Sequence, residues 1–133
     1  MPVQTASGCA KQVIIVDDDA AVRESLRRLM ESEGFAVRDF SNGHDLLNDA
    51  NSPSIGCLVV DYQMPGLNGL ELVSALRRRG VSSPAILFTS NPTEYVRDRA
   101  AAFAVLVIEK PGASNFLVDC VRTAVAKNSY SPA

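Results

Sequence analysis

Residues 55–69 read Ile-Gly-Cys-Leu-Val-Val-Asp-Tyr-Gln-Met-Pro-Gly-Leu-Asn-Gly. The run Ile55 to Val60 is nearly continuous in apolar residues, as a strand reads when both faces of a parallel sheet are covered. It stops on a carboxylate, Asp61. Asn68 with Glu71 three residues on then opens a helix, Leu72, Val73 and Leu76 give it an apolar face, and Gly80 closes it.

The same alternation extends in both directions. Four more short apolar runs, Val13 to Val16, Phe35 to Phe40, Ala85 to Phe88 and Ala104 to Ile108, read as strands. The run from Phe35 contains Arg38 and Asp39, as expected of an edge strand with one wet face, while the others read as covered on both sides. Between the runs, Val22, Leu26, Leu29 and Met30 predict a helix ending before Gly34. Asn91, Pro92 and Glu94 predict another, with proline at its first position and Val96, Ala100 and Phe103 on one face. Leu117, Cys120, Val121 and Ala124 mark the last, and a short helix falls around Leu46 and Leu47. Each crossover is too long for a hairpin and suits a βαβ unit, so the expected fold is α/β, a doubly wound (βα)5 three-layer sandwich on a parallel five-stranded sheet. The folded unit spans 12–127, with 1–11 a flexible leader and 128–133 a flexible tail.

Bulk composition excludes several classes. A chain of 133 residues, 47% hydrophobic and 21% charged, fits one globular domain. Net charge is −2 with scattered lysines and arginines, so no basic stripe points to direct nucleic-acid binding. No apolar run approaches the roughly 20 residues of a bilayer span, and no signal-peptide block precedes residue 12. Cys9, Cys57 and Cys120 are odd in number and widely spaced, and two lie in apolar patterns, which reads as reduced thiols in a cytoplasmic protein. The single histidine, His44, lies in a polar turn with no partner legible from sequence.

Ligands of an open parallel sheet bind at the carboxyl ends of its strands. There the sequence puts Asp17, Asp18 and Asp19 after the first run, Asp61 after the third, Thr89 at the end of the fourth and Lys110 after the fifth. Singly each has a bland reading, and Asp19 suits a helix cap. Together they define a site. Carboxylates within about 4 Å repel by roughly 4 kcal/mol per pair at an effective dielectric of 20, so a cation is needed, and an all-oxygen acidic set suits Mg²⁺. Phosphoryl transfer needs mainly positioning and charge neutralisation. Asp61 fits the nucleophile, Lys110 a second cation and Thr89 a hydrogen-bond donor.

These residues resemble the receiver domains of two-component response regulators over residues 12 to about 126. The resemblance is carried by Val-Asp-Asp-Asp at 16–19, Val-Asp-Tyr-Gln-Met-Pro-Gly-Leu-Asn-Gly at 60–69, Thr89, and Lys-Pro at 110–111. It implies a flavodoxin-like strand order of 2-1-3-4-5 and Asp61 as phospho-acceptor, with Thr89 and Lys110 beside it. It further implies Mg²⁺, with Mn²⁺ a substitute, held by Asp17, Asp18, Asp61 and the backbone carbonyl of Gln63, Asp18 being the more direct of the acidic pair. Pro65 and Gly66 then shape the loop, Gly69 lets the third helix approach, and the Lys110–Pro111 bond is cis. The implied donor is a sensor histidine kinase or phosphotransfer protein, and the chain catalyses its own phosphorylation and dephosphorylation. Phosphorylation switches the face of helix four, strand five and helix five, read by a downstream protein or an output domain. A homodimer through that face is left open. The wording at 64–72 is most similar to receivers that precede helix-turn-helix domains.

Three positions depart from the family pattern. Val107 stands where an aromatic ring usually accompanies the threonine; Ser90, Asn91 and Pro92 stiffen the segment after Thr89; Gly112 replaces a bulky residue. Three alternatives accordingly stand beside the main reading. One is a receiver-like docking module with weak or no phosphorylation, which Val107 favours. Another is a haloacid-dehalogenase-type phosphatase with its Asp-x-Asp laid on Asp17 and Asp19, although that nucleophile belongs to the first strand and the chain has little room for a cap. The last is a flavodoxin-like binder, whose loop after the first strand should be rich in Ser, Thr and Gly and not in aspartate.

Overall fold

The computed structural model describes residues 12–49, 55–110 and 114–129. Its elements are β1 (Gln12–Val16), α1 (Ala20–Ser32), β2 (Ala36–Phe40), α2 (Gly43–Leu47), β3 (Ile55–Val60), α3 (Gly69–Arg78), β4 (Ala85–Thr89), α4 (Glu94–Ala102), β5 (Leu106–Glu109) and α5 (Ser114–Ser129). The strands form one sheet in the order β2-β1-β3-β4-β5, and every neighbouring pair is parallel. Strand and helix alternate five times, as the apolar runs require.

Alternation along the strands divides the core in two. Ile14, Val16, Leu58, Val60 and Leu87 face one side, where they meet Leu46 of α2, Leu72, Val73 and Leu76 of α3, and Val96 and Ala100 of α4. Val13, Ile15, Cys57, Val59, Ile86 and Phe88 face the other, against Leu26 and Met30 of α1 and Leu117, Val118 and Val121 of α5. Each fully buried Leu, Ile or Val contributes about 1.5–3 kcal/mol, so the central strands are fixed by both layers at once. Burial pushes the Cys57 thiol up to about 12, which suits a packing residue and not a nucleophile.

Local signals were read correctly at most ends. Asp19 caps α1 by accepting from the N–H groups of Ala21 and Val22. Asn68 and Glu71 form the capping box of α3. Three expectations need correction. Pro92 is not the first residue of α4: Thr93 is the cap, its hydroxyl accepting from Val96 N, and the helix begins at Glu94. A hydroxyl two residues further on offers a better cap than asparagine can here, because Asn91 adopts a left-handed backbone, φ 47°. The fifth run is not covered on both faces, since β5 is an edge strand and Leu106 is 45% exposed. Ala104 and Val105 of that run belong to the turn before β5. α5 continues to Ser129, past the Asn128 where the tail was expected to start. The leader, Pro111 with its expected cis bond, Gly112 and Cys9 lie outside the described residues.

Candidate functional site

Strand register brings the chemical groups together. Val16 of β1 is paired with Val60 of β3, so Asp17 and Asp61 leave the sheet side by side, and Asp61 N donates to Val16 O at 3.1 Å. Thr89 of β4 is paired with Glu109 of β5, so Lys110 follows alongside, its N–H donating to Thr89 O at 2.9 Å. Every one of these residues sits at the carboxyl edge, where the strand order reverses between β1 and β3.

The side chains converge on Asp61. The Thr89 hydroxyl donates to Asp61 Oδ1 at 2.7 Å, and Lys110 Nζ donates to Asp61 Oδ2 at 3.3 Å and to Asp17 Oδ2 at 2.8 Å. Asp17 is buried, 2% exposed, and its Oδ1 accepts from Asp19 N at 2.9 Å. Asp18 is exposed and lines the same crevice, together with Asp61, Gln63, Thr89, Ser90 and Lys110. Burial pushes the Asp17 carboxyl above its ordinary 3.8, against the hydrogen bonds from Lys110 and Asp19 N. Burial acts to lower the Lys110 ammonium, but its hydrogen bond to Asp17 and the charges of Asp17 and Asp61 outweigh that and hold it above 10.5.

One oxygen each from Asp17, Asp18 and Asp61 lie within 4.8 Å of one another. At that separation two carboxylates repel by about 3–4 kcal/mol at an effective dielectric of 20, and the single ammonium of Lys110 leaves three negative charges undercompensated. The donor set is hard oxygen, partly open to solvent, and Asp17 already has protein donors on both oxygens. Asp61 likewise has a donor on each oxygen, so the set fits a small divalent cation for which exposed Asp18 is the freest ligand.

The loop that follows is shaped by its glycines. A Cβ on Gly69 would stand 2.5 Å from the Asp61 carbonyl oxygen and 2.8 Å from Leu87 Cδ1, so only glycine lets α3 start this close to Asp61. Gly66 has φ +79°, and with Pro65 it lines an open concavity that adjoins the crevice and shares Asp18 and Gln63 with it. Val107 is half-buried on β5 and packs on the α2–α4 side of the core, away from the crevice. Three supporting contacts went unread in the sequence. Arg23 Nη1 donates to the Asp17 carbonyl at 2.8 Å, the Phe88 ring lies 5.7 Å from Lys110 Nζ, and the His44 ring lies against Gly66. Arg23 could have been found, since it stands one turn after the Asp19 cap and so faces back to the loop; the other two depend on tertiary packing.

A rim of this kind is what the transfer or binding of an anionic group beside a cation requires, and it defines a class of α/β protein that works from the carboxyl edge of its sheet. Residues 13–122 match the family described as Response regulator receiver domain, and the chain belongs to that family. Similar curated proteins include the transcriptional regulatory protein TdiR of Thauera aromatica, 34% identical over 125 residues that cover 93% of this chain and 55% of that one. The C4-dicarboxylate transport transcriptional regulatory protein DctR of Rhodobacter capsulatus is 37% identical over 119 residues, 86% of this chain and 59% of that one. The chain thus spans little more than half the length of these relatives. Among solved structures, response regulator StyR aligns with a TM-score of 0.81 at 32% identity, over 90% of this chain and 62% of that chain. TrrA of Thermotoga maritima, solved in complex with Mg²⁺ and BeF, aligns at 0.74 and 25% identity over 86% and 98%. Among the described residues no helix is long and apolar enough to cross a membrane.

Proposed function

We propose that Asp61 accepts a phosphoryl group from a histidine kinase or phosphotransfer protein and that the chain thereby switches its α4–β5–α5 face. The observation that carries this reading is the hydrogen bonding of both Asp61 oxygens, one by the Thr89 hydroxyl and the other by Lys110 Nζ. A carboxylate oxygen of Asp61 forms the bond to phosphorus while the bond from phosphorus to the donor nitrogen breaks, giving an acyl phosphate. Asp17, Asp18, Asp61 and the Gln63 carbonyl would hold Mg²⁺, or Mn²⁺ in its place, which would supply compact positive charge for the phosphoryl oxygens. Lys110 balances charge on the other flank, and Thr89, relieved of its bond to the carboxylate, donates to a phosphoryl oxygen. The aspartyl phosphate adds nearly two negative charges, a step large enough to move the Thr89 segment and α4 behind it. Val107 offers no ring to follow that movement, so the shift is carried by the β4–α4 segment and its packing. The partners that fit are a cytoplasmic phosphodonor and an output domain or separate protein that reads the face.

Intact mass after treatment with acetyl phosphate and Mg²⁺ tests the acceptor. The parent should gain one phosphoryl group and Asp61→Asn none; labelling of Asp61→Asn would put the acceptor at another residue, and no labelling of the parent would leave the docking module as the better reading. Steady ester hydrolysis abolished by Asp17→Asn and kept by Asp61→Asn would favour the phosphatase. For the switch, beryllofluoride with Mg²⁺ should shift amide resonances across α4, β5 and α5 in the parent, and Thr89→Ala should remove most of that shift while retaining labelling. A variant that responds as fully as the parent would show that Thr89 does not couple.

A further inference from the structure

A second concavity lies between α3 and α4, outside the acidic crevice. Its volume is about 400 Å³, within the usual 300–1,000 Å³ range of small-molecule sites. One wall is a stripe of α3, Glu71, Ser74 and Arg78; the other is the i, i+4, i+8 stripe Tyr95, Arg99 and Phe103, which follows α4 into its C-terminal cap. Leu70, buried, forms part of the floor, and Tyr62 closes the end nearest Asp61.

The arginines of this groove differ from the others. Arg23, Arg27, Arg28, Arg38, Arg97 and Arg122 are each ion-paired with a carboxylate, and Arg77 and Arg79 donate to the carbonyls of Val81 and Leu47. Among the described residues Arg78 and Arg99 have neither kind of partner. Arg78 donates to the Ser74 hydroxyl at 2.9 Å, and Arg99 lies over the Phe103 ring at 5.7 Å. α3 and α4 each follow a strand of a parallel sheet and run in the same direction, so the two arginines stand at one end of the groove and Glu71 at the other. Along α3, Glu71 and Arg78 are about 10 Å apart.

We infer that the α3–α4 groove is a binding site for a planar aromatic small molecule bearing a carboxylate, with its ring between Tyr62 and Tyr95 and its anion on Arg78 and Arg99. Guanidinium forks match a carboxylate in two-point geometry and stay charged at any working pH. The aromatic rings offer stacking surface, and Glu71 repels an anion bound in the reverse direction. The length suits a fused bicyclic ring. A cation near the C-terminal end of each helix also complements the helix dipole, and the test separates that role from ligand binding.

The probe is 2-naphthoate, titrated into the whole chain and followed by amide and tyrosine-ring NMR shifts, with 2-naphthylmethanol as the neutral control. Naphthoate should give saturable shifts confined to Tyr62, α3 and α4, and the alcohol should bind about tenfold more weakly or worse. Arg78→Gln with Arg99→Gln should weaken naphthoate by a similar factor, whereas Arg78→Lys with Arg99→Lys, which keeps both charges and the dipole contact, should fall between. Absence of saturation in the parent, equal binding of the alcohol, undiminished binding by the glutamine variant, or shifts centred on Lys110 and Asp61 would each overturn the assignment. Asp61→Asn should bind naphthoate as the parent does, so the outcome is independent of phosphorylation.

Discussion

α3 buries Leu70, Leu72, Val73 and Leu76 and is closed at its start by reciprocal Asn68 and Glu71 hydrogen bonds, whereas α4 buries Val96 and Ala100 and follows a left-handed Asn91. The strands beside them differ in the same sense. All six residues of β3 are buried, while in four-residue β5 only Ile108 is. The crevice lies on the boundary: Asp17 and Asp61 stand on the packed flank, Lys110 on the lighter one, and Thr89 between them at the end of the fully buried β4. What joins the flanks at the rim is the set of three bonds from Thr89 and Lys110 to Asp61 and Asp17. On the proposed reading, Asp61 on the rigid flank is read by groups that tie it to a less anchored one, the arrangement in which a local change of charge becomes a change of shape.

The largest effect expected from that contrast is on stability. Leu72→Ala should cost about 2–5 kcal/mol, because a fully buried side chain is removed between two layers that cannot collapse. Val96→Ala should cost only about 1–2 kcal/mol, since two methyl groups are lost beneath a helix that already has little buried area. Urea denaturation of both variants measures the difference. Native-state hydrogen exchange on the parent should show α4 amides opening at lower free energy than those of α3. Equal costs and equal protection would abolish the distinction between the flanks.

The packed flank is also the one that could be read from sequence. Continuous apolar runs announced β1, β3 and β4, and the Asn68 to Glu71 spacing announced α3, because burial on both faces and a capping box leave marks in neighbouring residues. The strand-end positions of Asp17, Asp61, Thr89 and Lys110 followed from the same runs once a parallel sheet was assumed. Legibility fell on the lighter flank. β5 looked covered because its residues are apolar, although an edge position is decided by what packs beside it, and nothing in Leu106 itself reports that. Pro92 was placed inside α4 since Asn-Pro resembles a helix start; Thr93 won by geometry that only the turn reveals. The α3–α4 groove was equally invisible, as its walls come from two helices whose facing stripes are fixed by the fold.

A smaller effect should appear in the pH dependence, since Lys110 ties the two flanks. Its folded ammonium is held above 10.5, so the stability it contributes is complete below that pH and is lost as pH rises through the folded value. Asp17 acts in the opposite sense. Burial raises its carboxyl above 3.8, so its charged form disfavours folding at neutral pH and that cost is relieved as pH falls through the raised value. Unfolding free energy of the parent should therefore decline more steeply above about pH 10.5 than that of Lys110→Met. Parallel curves in that range would mean that the ammonium adds nothing to the link between flanks.

The smallest effect concerns the end of α4 and sharpens the same contrast. α1, α3 and α4 close with one pattern, in which the residue after the cap is left-handed and the next N–H reaches back to the last turn. Phe35 N donates to Met30 O at 3.1 Å, Val81 N to Leu76 O at 3.0 Å and Val105 N to Ala100 O at 2.8 Å. The left-handed residue is Gly34 in α1 and Gly80 in α3, but Ala104 in α4, with φ +58°. A Cβ there costs about 1–2 kcal/mol, partly offset by the greater chain entropy of glycine when unfolded, so Ala104→Gly should stabilise the protein by about 0.5–1 kcal/mol. Because the gain falls on the lighter flank, exchange protection of α4 should rise while that of α3 stays level, and labelling of Asp61 should be unchanged. A variant less stable than the parent would show that the turn does not hold the strain its dihedral angle implies, and that α4 is loosened by its small buried area alone.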